Sequence, residues 1–305
     1  LKEAAATGLS TAAVQAGIDG AHEFAAVYLR LALLLDPADE LKLRLGQTLA
    51  EAELEEAARA ALADVGTADP MLYAAARTDM ALSFERQGRS EEALPELRRA
   101  YAAAPTNTGV VYLLAAQLTQ MDQYDEALTL LNGPVLNAAG QGFEIHFLRG
   151  AAYESRGDIA LAEAELWAAH QMKPDDATVL NYLGYLWVDK GLRVEQGADM
   201  IARAFAADPE NGNIQDSLGW AQYRQGKYDE AVVSLEAAVE KEPANAEIND
   251  HLGDAYWQVG RTREARFQWS RVLTLEPDAE RRTEAERKLS EGLATAVPVS
   301  DGAQP

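Results

Sequence analysis

The stretch DHLGD sets His251 beside Asp250 and three residues ahead of Asp254. Asp250 and Asp254, at i and i+4, share one face of a helix, a spacing that suits metal ligation. The ordinary meaning of such a grouping is a solvated helix surface, and that is the expectation here. The other histidines, His22, His146 and His170, lie far apart along the chain. His22 opens HEFAA, which lacks the second histidine that a zinc-binding H-E-x-x-H needs. DPENGN at 208–213 lacks the alternating oxygen ligands and closing glutamate of a calcium loop. No nucleophile elbow, phosphate-binding loop or Gly-rich strand-to-helix turn occurs. Cysteine is absent, which removes disulfides, thiolate catalysis and the usual zinc sites. Adjacent acids such as Glu55 with Glu56 and Glu91 with Glu92 read as outward-facing helix surface. The expectation is a protein without catalytic residues, metal or cofactor.

What the sequence does carry is spacing. Gly46, Ala81, Ala115, Gly150, Gly184, Gly219 and Gly253 recur at steps of 34 or 35 residues. A second small residue follows each by 12, or by 13 after Gly184: Ala58, Ala93, Ala127, Ala162, Gly197, Ala231 and Ala265, with Ala25 one step earlier. Four residues further comes a bulky apolar group: Leu29, Leu62, Leu97, Leu131, Leu166, Ile201, Leu235 and Trp269. Proline stands 12 past the second small slot at 37, 70, 105, 174, 209, 243 and 277, with Ala139 the exception. Such self-similarity is the signature of a repeat array.

The slots imply a unit. Small residues on two helices joined at a Gly turn (Gly88, Gly157, Gly191, Gly226, Gly260) let the helices approach closely, and the apolar residue at i+4 fills the groove beside them. Proline stops the second helix and launches the next unit. One such hairpin cannot bury its apolar face alone, so stability comes from its neighbours. Glycine inside a helix costs about 1 kcal/mol relative to alanine, so Gly219 is expected to offset that cost by close contact.

The pattern L-G-x-A-x-x-x-x-G-x-Y-x-E-A followed by P resembles the tetratricopeptide repeat over roughly residues 5–279. The resemblance implies an all-α, right-handed α-solenoid of about eight helix-turn-helix repeats. DAERRTEAERKLSEGL reads as a capping helix over 280–295, and 296–305 as a disordered tail. Gly133 and Pro134 cut the fourth repeat short, so 133–142 is expected to be an irregular loop or hinge between an N-terminal arm, 1–132, and a C-terminal arm, 143–279. The sixth repeat has one extra residue in KGLRVEQG, which lengthens its turn. The three C-terminal repeats, beginning NYLGYLW, DSLGWAQ and NDHLGDA, are similar to bacterial envelope proteins of this fold. That group includes a lipoprotein adaptor of a carboxyl-terminal processing protease.

In a stack of this kind the first helix of each repeat lines the inner groove. The slots facing it offer Asn181 and Tyr185, then Asp216, Trp220 and Tyr223, then Asp250, Asp254 and Trp257. Aromatic rings beside carboxylates suit an extended peptide with apolar or basic side chains. The competing expectation, that these rings pack between repeats, stands beside it and is favoured for Trp257. Earlier repeats offer a blander lining, with Leu43, Gln47, Thr78, Leu82, Tyr112 and Phe147.

A net charge of −22 argues against nucleic acid as partner. Lysine and arginine are missing from 100 to 148 yet crowd the C-terminal end, where they are expected to sit near helix ends or to form a second contact face. No apolar run is long enough to span a bilayer. The chain starts at Leu1 inside a repeat, and an N-terminal part with a secretion signal is expected to be missing. The resemblance implies a non-catalytic scaffold or adaptor for a protein or extended peptide, with a processing protease as one partner. It implies a periplasmic or outer-membrane-associated location, with the cytoplasm as alternative. Two further classes stay open: the targeting arm of a larger enzyme, and a structural self-assembling protein.

Overall fold

The computed structural model describes residues 2–140 and 142–293. Its described residues form eighteen α-helices and no strand. The pairs are α1 (Lys2–Ile18) with α2 (His22–Leu35), α3 (Asp39–Glu51) with α4 (Glu55–Ala63), α5 (Pro70–Arg86) with α6 (Ser90–Ala103), and α7 (Thr108–Gln120) with α8 (Tyr124–Leu131). A short α9 (Pro134–Ala138) precedes α10 (Phe143–Ser155) and α11 (Ile159–Met172). Then come α12 (Ala177–Asp189) with α13 (Val194–Ala207), α14 (Gly212–Arg224) with α15 (Tyr228–Lys241), α16 (Ala246–Gln258) with α17 (Thr262–Val272), and finally α18 (Ala279–Glu291). The expected tail, 296–305, lies outside the described residues. Two compact units divide between Ala162 and Glu163, so residues 133–140 fall within the first unit.

The slots read from the sequence are the core of these pairs. Leu29, Leu62, Leu97, Leu131, Leu166, Ile201, Leu235 and Trp269 are all buried, as are Ala25, Ala58, Ala93, Ala127, Ala162, Ala231 and Ala265. A Cβ placed on Gly219 would meet Leu235 Cγ at 2.5 Å, and one on Gly253 would meet Trp269 Nε1 at 2.5 Å. Glycine therefore stands where the bulky residue of the second helix presses on the first. In the sixth pair a Cβ on Gly184 would meet the Gly197 carbonyl at 2.8 Å. That pair, with glycine in both slots, brings backbone against backbone.

Local signals set the helix ends. Asp69, Asn107, Asp176, Asn211 and Asn245 cap first helices by accepting backbone N–H groups, each at or just after the proline region that ends the preceding unit. Between paired helices one residue takes a left-handed conformation, for which Gly226 (φ 77°) is typical. Two pairs place other residues at that turn, Glu53 at φ 61° and Asp122 at φ 59°.

The segment after α8 differs from the expected loop. Pro134 occupies the first turn of α9, where its missing N–H is no loss, so it starts a helix. Leu136 on α9 is fully buried, in a cluster with Val111, Leu128, Leu131 and Ile145. The buried Arg149 guanidinium donates to the Leu131 carbonyl from Nε at 3.1 Å and to Asn137 Oδ1 at 2.8 Å, tying the end of α8 to α9.

Candidate functional site

Within the second unit, α12, α14 and α16 are first helices with equivalent caps, which puts the same face of each in register. Along that face side chains reach from one first helix to the next across 31 to 35 residues, about one repeat, and Tyr185 reaches two repeats on, from α12 to α16. Trp220 stacks on Tyr223 with ring centroids 4.8 Å apart and, on its other side, on His251 at 4.1 Å. Tyr185 leans against His251 at 6.5 Å and donates its hydroxyl to Glu247 Oε1 at 3.0 Å. Trp220 Nε1 donates to Asp189 Oδ1 at 3.3 Å, and Gln258 Nε2 to the Tyr223 hydroxyl at 3.3 Å. Three successive first helices are thus joined by one aromatic and polar ladder.

His251 is the centre of the ladder and is buried. Burial opposes a charged imidazole, but the Asp216 carboxylate, 3.0 Å from Nδ1 through both oxygens, outweighs it, with Glu247 and Asp250 adding to the pull. The result is a pKa raised to about 9, so His251 is an imidazolium at neutral pH and donates to Asp216. Its charge faces the Trp220 ring, a cation–π arrangement. Burial also raises both tyrosine hydroxyls, Tyr223 to about 12 and Tyr185 further still.

Asp250 and Asp254 are engaged from α17 and α18. Lys288 Nζ on α18 reaches Asp250 Oδ1 at 2.8 Å and Asp254 Oδ2 at 2.9 Å, and Trp269 Nε1 donates to Asp254 Oδ1 at 2.9 Å. All three members of this ion cluster are buried. Burial pushes Asp254 up to about 6 against the pull of Lys288. Arg281, one turn pair earlier on α18, faces Glu247 at 3.1 Å and Asp250 at 3.6 Å. The expectation of a solvated Asp250–His251–Asp254 face is therefore corrected: each group is buried because a counter-charge from another helix compensates it. The crowding of basic residues at the C-terminal end has the same explanation at Arg281 and Lys288, which neutralise first-helix acids.

Of the positions expected in the groove, Tyr185, Asp216, Trp220 and Tyr223 are brought together around His251. Tyr185, Trp220 and Tyr223 are half-buried, so each ring keeps an outward part, whereas Asp216 is buried and wholly engaged. Asn181 is half-buried, and its Oδ1 has no hydrogen-bond partner among the described residues. Trp257 packs on Trp269 at 5.3 Å and donates Nε1 to the Leu293 carbonyl at 2.7 Å, so it belongs to the junction with the segment that follows α18. Three residues past their Gly slots, Trp187 and Tyr256 are buried between helices, and Tyr153 at the equivalent position is half-buried.

Sequence reasoning did not pick out His251, Asp189, Glu247, Arg281 or Lys288 as members of this face. The signal was present: Arg281 and Lys288 lie 34 residues past Glu247 and Asp254, so the repeat register simply continues into α18. Among the described residues no group of three histidine, aspartate or glutamate side chains is arranged to hold a metal. With His251 enclosed and paired, the face offers contact area and fixed charge.

Residues 85–149 match the tetratricopeptide repeat family and residues 219–260 a TPR repeat family. Over 181 residues the chain is 33% identical to a TPR repeat-containing protein of Pseudomonas aeruginosa, a match that takes in 59% of this chain and 30% of that protein. A tetratricopeptide repeat protein from Parabacteroides merdae superposes with a TM-score of 0.63 at 15% identity, covering 81% of this chain and 97% of its own. The Cut9–Hcn1 hetero-tetramer of the APC/C contains a chain that superposes at 0.65 and 15% identity, over 90% of this chain and 53% of that one. Such low identities speak for the fold. Residues 85–149 and 219–260 thus carry tetratricopeptide repeats, and helix pairs of the same spacing and slots run through the rest of the described residues.

Proposed function

We propose that the protein is a binding scaffold that holds an extended polypeptide segment along α12, α14 and α16. Tetratricopeptide repeats generally serve as protein-interaction scaffolds, and this reading says where on the chain the contact is made. The observation that carries it is the ladder of half-buried rings, Tyr185, Trp220 and Tyr223, held in place by Asp216, His251 and Asp189. Rings that are already fixed lose little entropy when a partner covers them, and aromatic anchors dominate binding energy in interfaces. The half-buried carboxylates of Asp189 and Glu247 flank the rings, and with a net charge of −22 they favour a partner segment with apolar and basic side chains.

The test replaces Trp220 by Leu and Asp189 by Asn together. Asp216 is left intact because removing it would strand a buried imidazolium. Partner capture from extracts of the native host, scored by crosslinking and mass spectrometry, is expected to fall at least tenfold, about 1.4 kcal/mol, while the thermal melt stays cooperative. Undiminished capture by a folded double variant would overturn the reading.

The finer reading is an adaptor in a bacterial envelope that brings a processing protease to its substrates. It rests on the resemblance of the repeats between Asn181 and Pro277. Fractionation of the native host supports it if the protein is recovered with the envelope together with a peptidase, and recovery from cytoplasm alone removes it.

A further inference from the structure

A second surface lies on the second helices α11 and α13, with Trp187 of α12 between them. Trp167, His170, Trp187, Arg193, Glu195 and Asp199 line an open cavity of about 620 Å³. Trp167 is 41% exposed, unusual for a residue type that normally buries its ring. It is propped by contacts to Trp187 at 5.9 Å and to His170 at 5.3 Å. No other repeat carries an aromatic residue at its slot, five past the second small residue, where Arg30, Ala63, Arg98, Asn132, Ala202, Glu236 and Ser270 stand.

The cavity already displays the chemistry it suits. The Arg193 guanidinium lies 4.6 Å over the Trp187 ring and pairs with Glu163 Oε1 at 2.9 Å, which also accepts the Trp187 Nε1–H at 2.9 Å. One guanidinium, one indole face and one carboxylate form a closed set. Beside it stand a second indole, Trp167, and two more carboxylates, Glu195 and Asp199, both exposed. Among the described residues Glu195 and Asp199 have no cation: Glu195 accepts only from Gln225 Nε2 at 2.9 Å. Burial, with Arg203 nearby, lowers the His170 pKa, so that ring presents an uncharged wall that does not oppose an incoming cation.

We propose that this cavity is a docking site for an arginine side chain of a partner polypeptide, stacked on Trp167 and paired with Asp199 and Glu195. The occupant is fixed by charge: an apolar side chain would leave both carboxylates unused, and an anion would meet a chain of net charge −22. The site draws on second helices together with Trp187 of α12 and shares no lining residue with the ladder along the first helices.

The five tryptophan indole N–H signals are to be assigned one by one with Trp→Phe variants, so that a titration locates binding directly. The probe is the capped pentapeptide Ac-Gly-Gly-Arg-Gly-Gly-NH2, compared with versions carrying glutamine or leucine at the centre. The arginine peptide is expected to shift the Trp167 and Trp187 signals saturably, with Trp220 and the buried Trp269 unmoved. Asp199→Asn with Glu195→Gln is expected to weaken it at least threefold, and Trp167→Leu to abolish it, with the Trp269 signal unchanged as the mark of an intact fold. Equal shifts from the glutamine or leucine peptide, a response at Trp220 instead, or no response at all would overturn the proposal.

Discussion

Gly219 illustrates how a residue that looks wrong for a helix is right for the pair. Helix propensity alone says that Gly219→Ala should stabilise by about 1 kcal/mol. With Leu235 Cγ only 2.5 Å from the added Cβ, the account predicts the reverse, a loss of about 1–3 kcal/mol in denaturant unfolding. The turns give the opposite case. Glu53 is exposed and holds φ at 61°, a conformation that costs a side-chain-bearing residue about 1 kcal/mol. Glu53→Gly is expected to raise stability by about that amount, and a lower unfolding midpoint would contradict the assignment. Both effects were half legible beforehand. The close-contact slot showed in the 34- or 35-residue spacing because glycine and alanine recur there for a steric reason. Glu53 and Asp122 gave no such sign, since the left-handed turn is a property of backbone position and those side chains tolerate it at a cost.

Among elements, α18 carries more than the covering of an apolar end. Lys288 lies buried between Asp250 and Asp254, so Lys288→Met leaves the buried Asp254 without a cation and Asp250 with Arg281 alone. A loss of about 3–5 kcal/mol is expected, read by thermal melts together with faster amide exchange in α16. Little change would mean that the cluster is not a structural clasp. The helix itself was legible from composition and repeat register, at Ala279–Glu291 against the expected 280–295. Its partners were not, because pairing depends on which faces meet in space, and a run of acids next to a histidine reads in sequence as solvated. The short α9 was missed for a related reason: proline breaks a helix from inside but opens one from its first turn, and sequence alone favoured the break.

For the molecule as a whole, the buried charges make stability depend on pH in a defined direction. His251 is raised from the ordinary imidazole range to about 9, so the folded state binds its proton more tightly than the unfolded chain. Its contribution is complete below about pH 6.5 and is lost as pH rises through 9. At most about 3 kcal/mol is involved. Asp254, raised to about 6, acts with the same sign at lower pH, favouring the fold below about 3.8 and less so as pH climbs to 6. Urea unfolding at pH 6.5 and 9.5 is expected to show the alkaline protein weaker, and His251→Gln to flatten that difference. Increasing stability over the same interval would contradict the Asp216–His251 pair.

The central claim is that first helices α12, α14 and α16 present a prepared face to an extended polypeptide. Site-specific photo-crosslinking in the native host tests it most directly, with benzoylphenylalanine in place of Tyr182, exposed on α12, and in parallel in place of Val233, exposed on the second helix α15. The account predicts that the probe at 182 captures one recurring peptide segment and that the probe at 233 does not. Capture from 233 alone, or the same products from both positions, would contradict it.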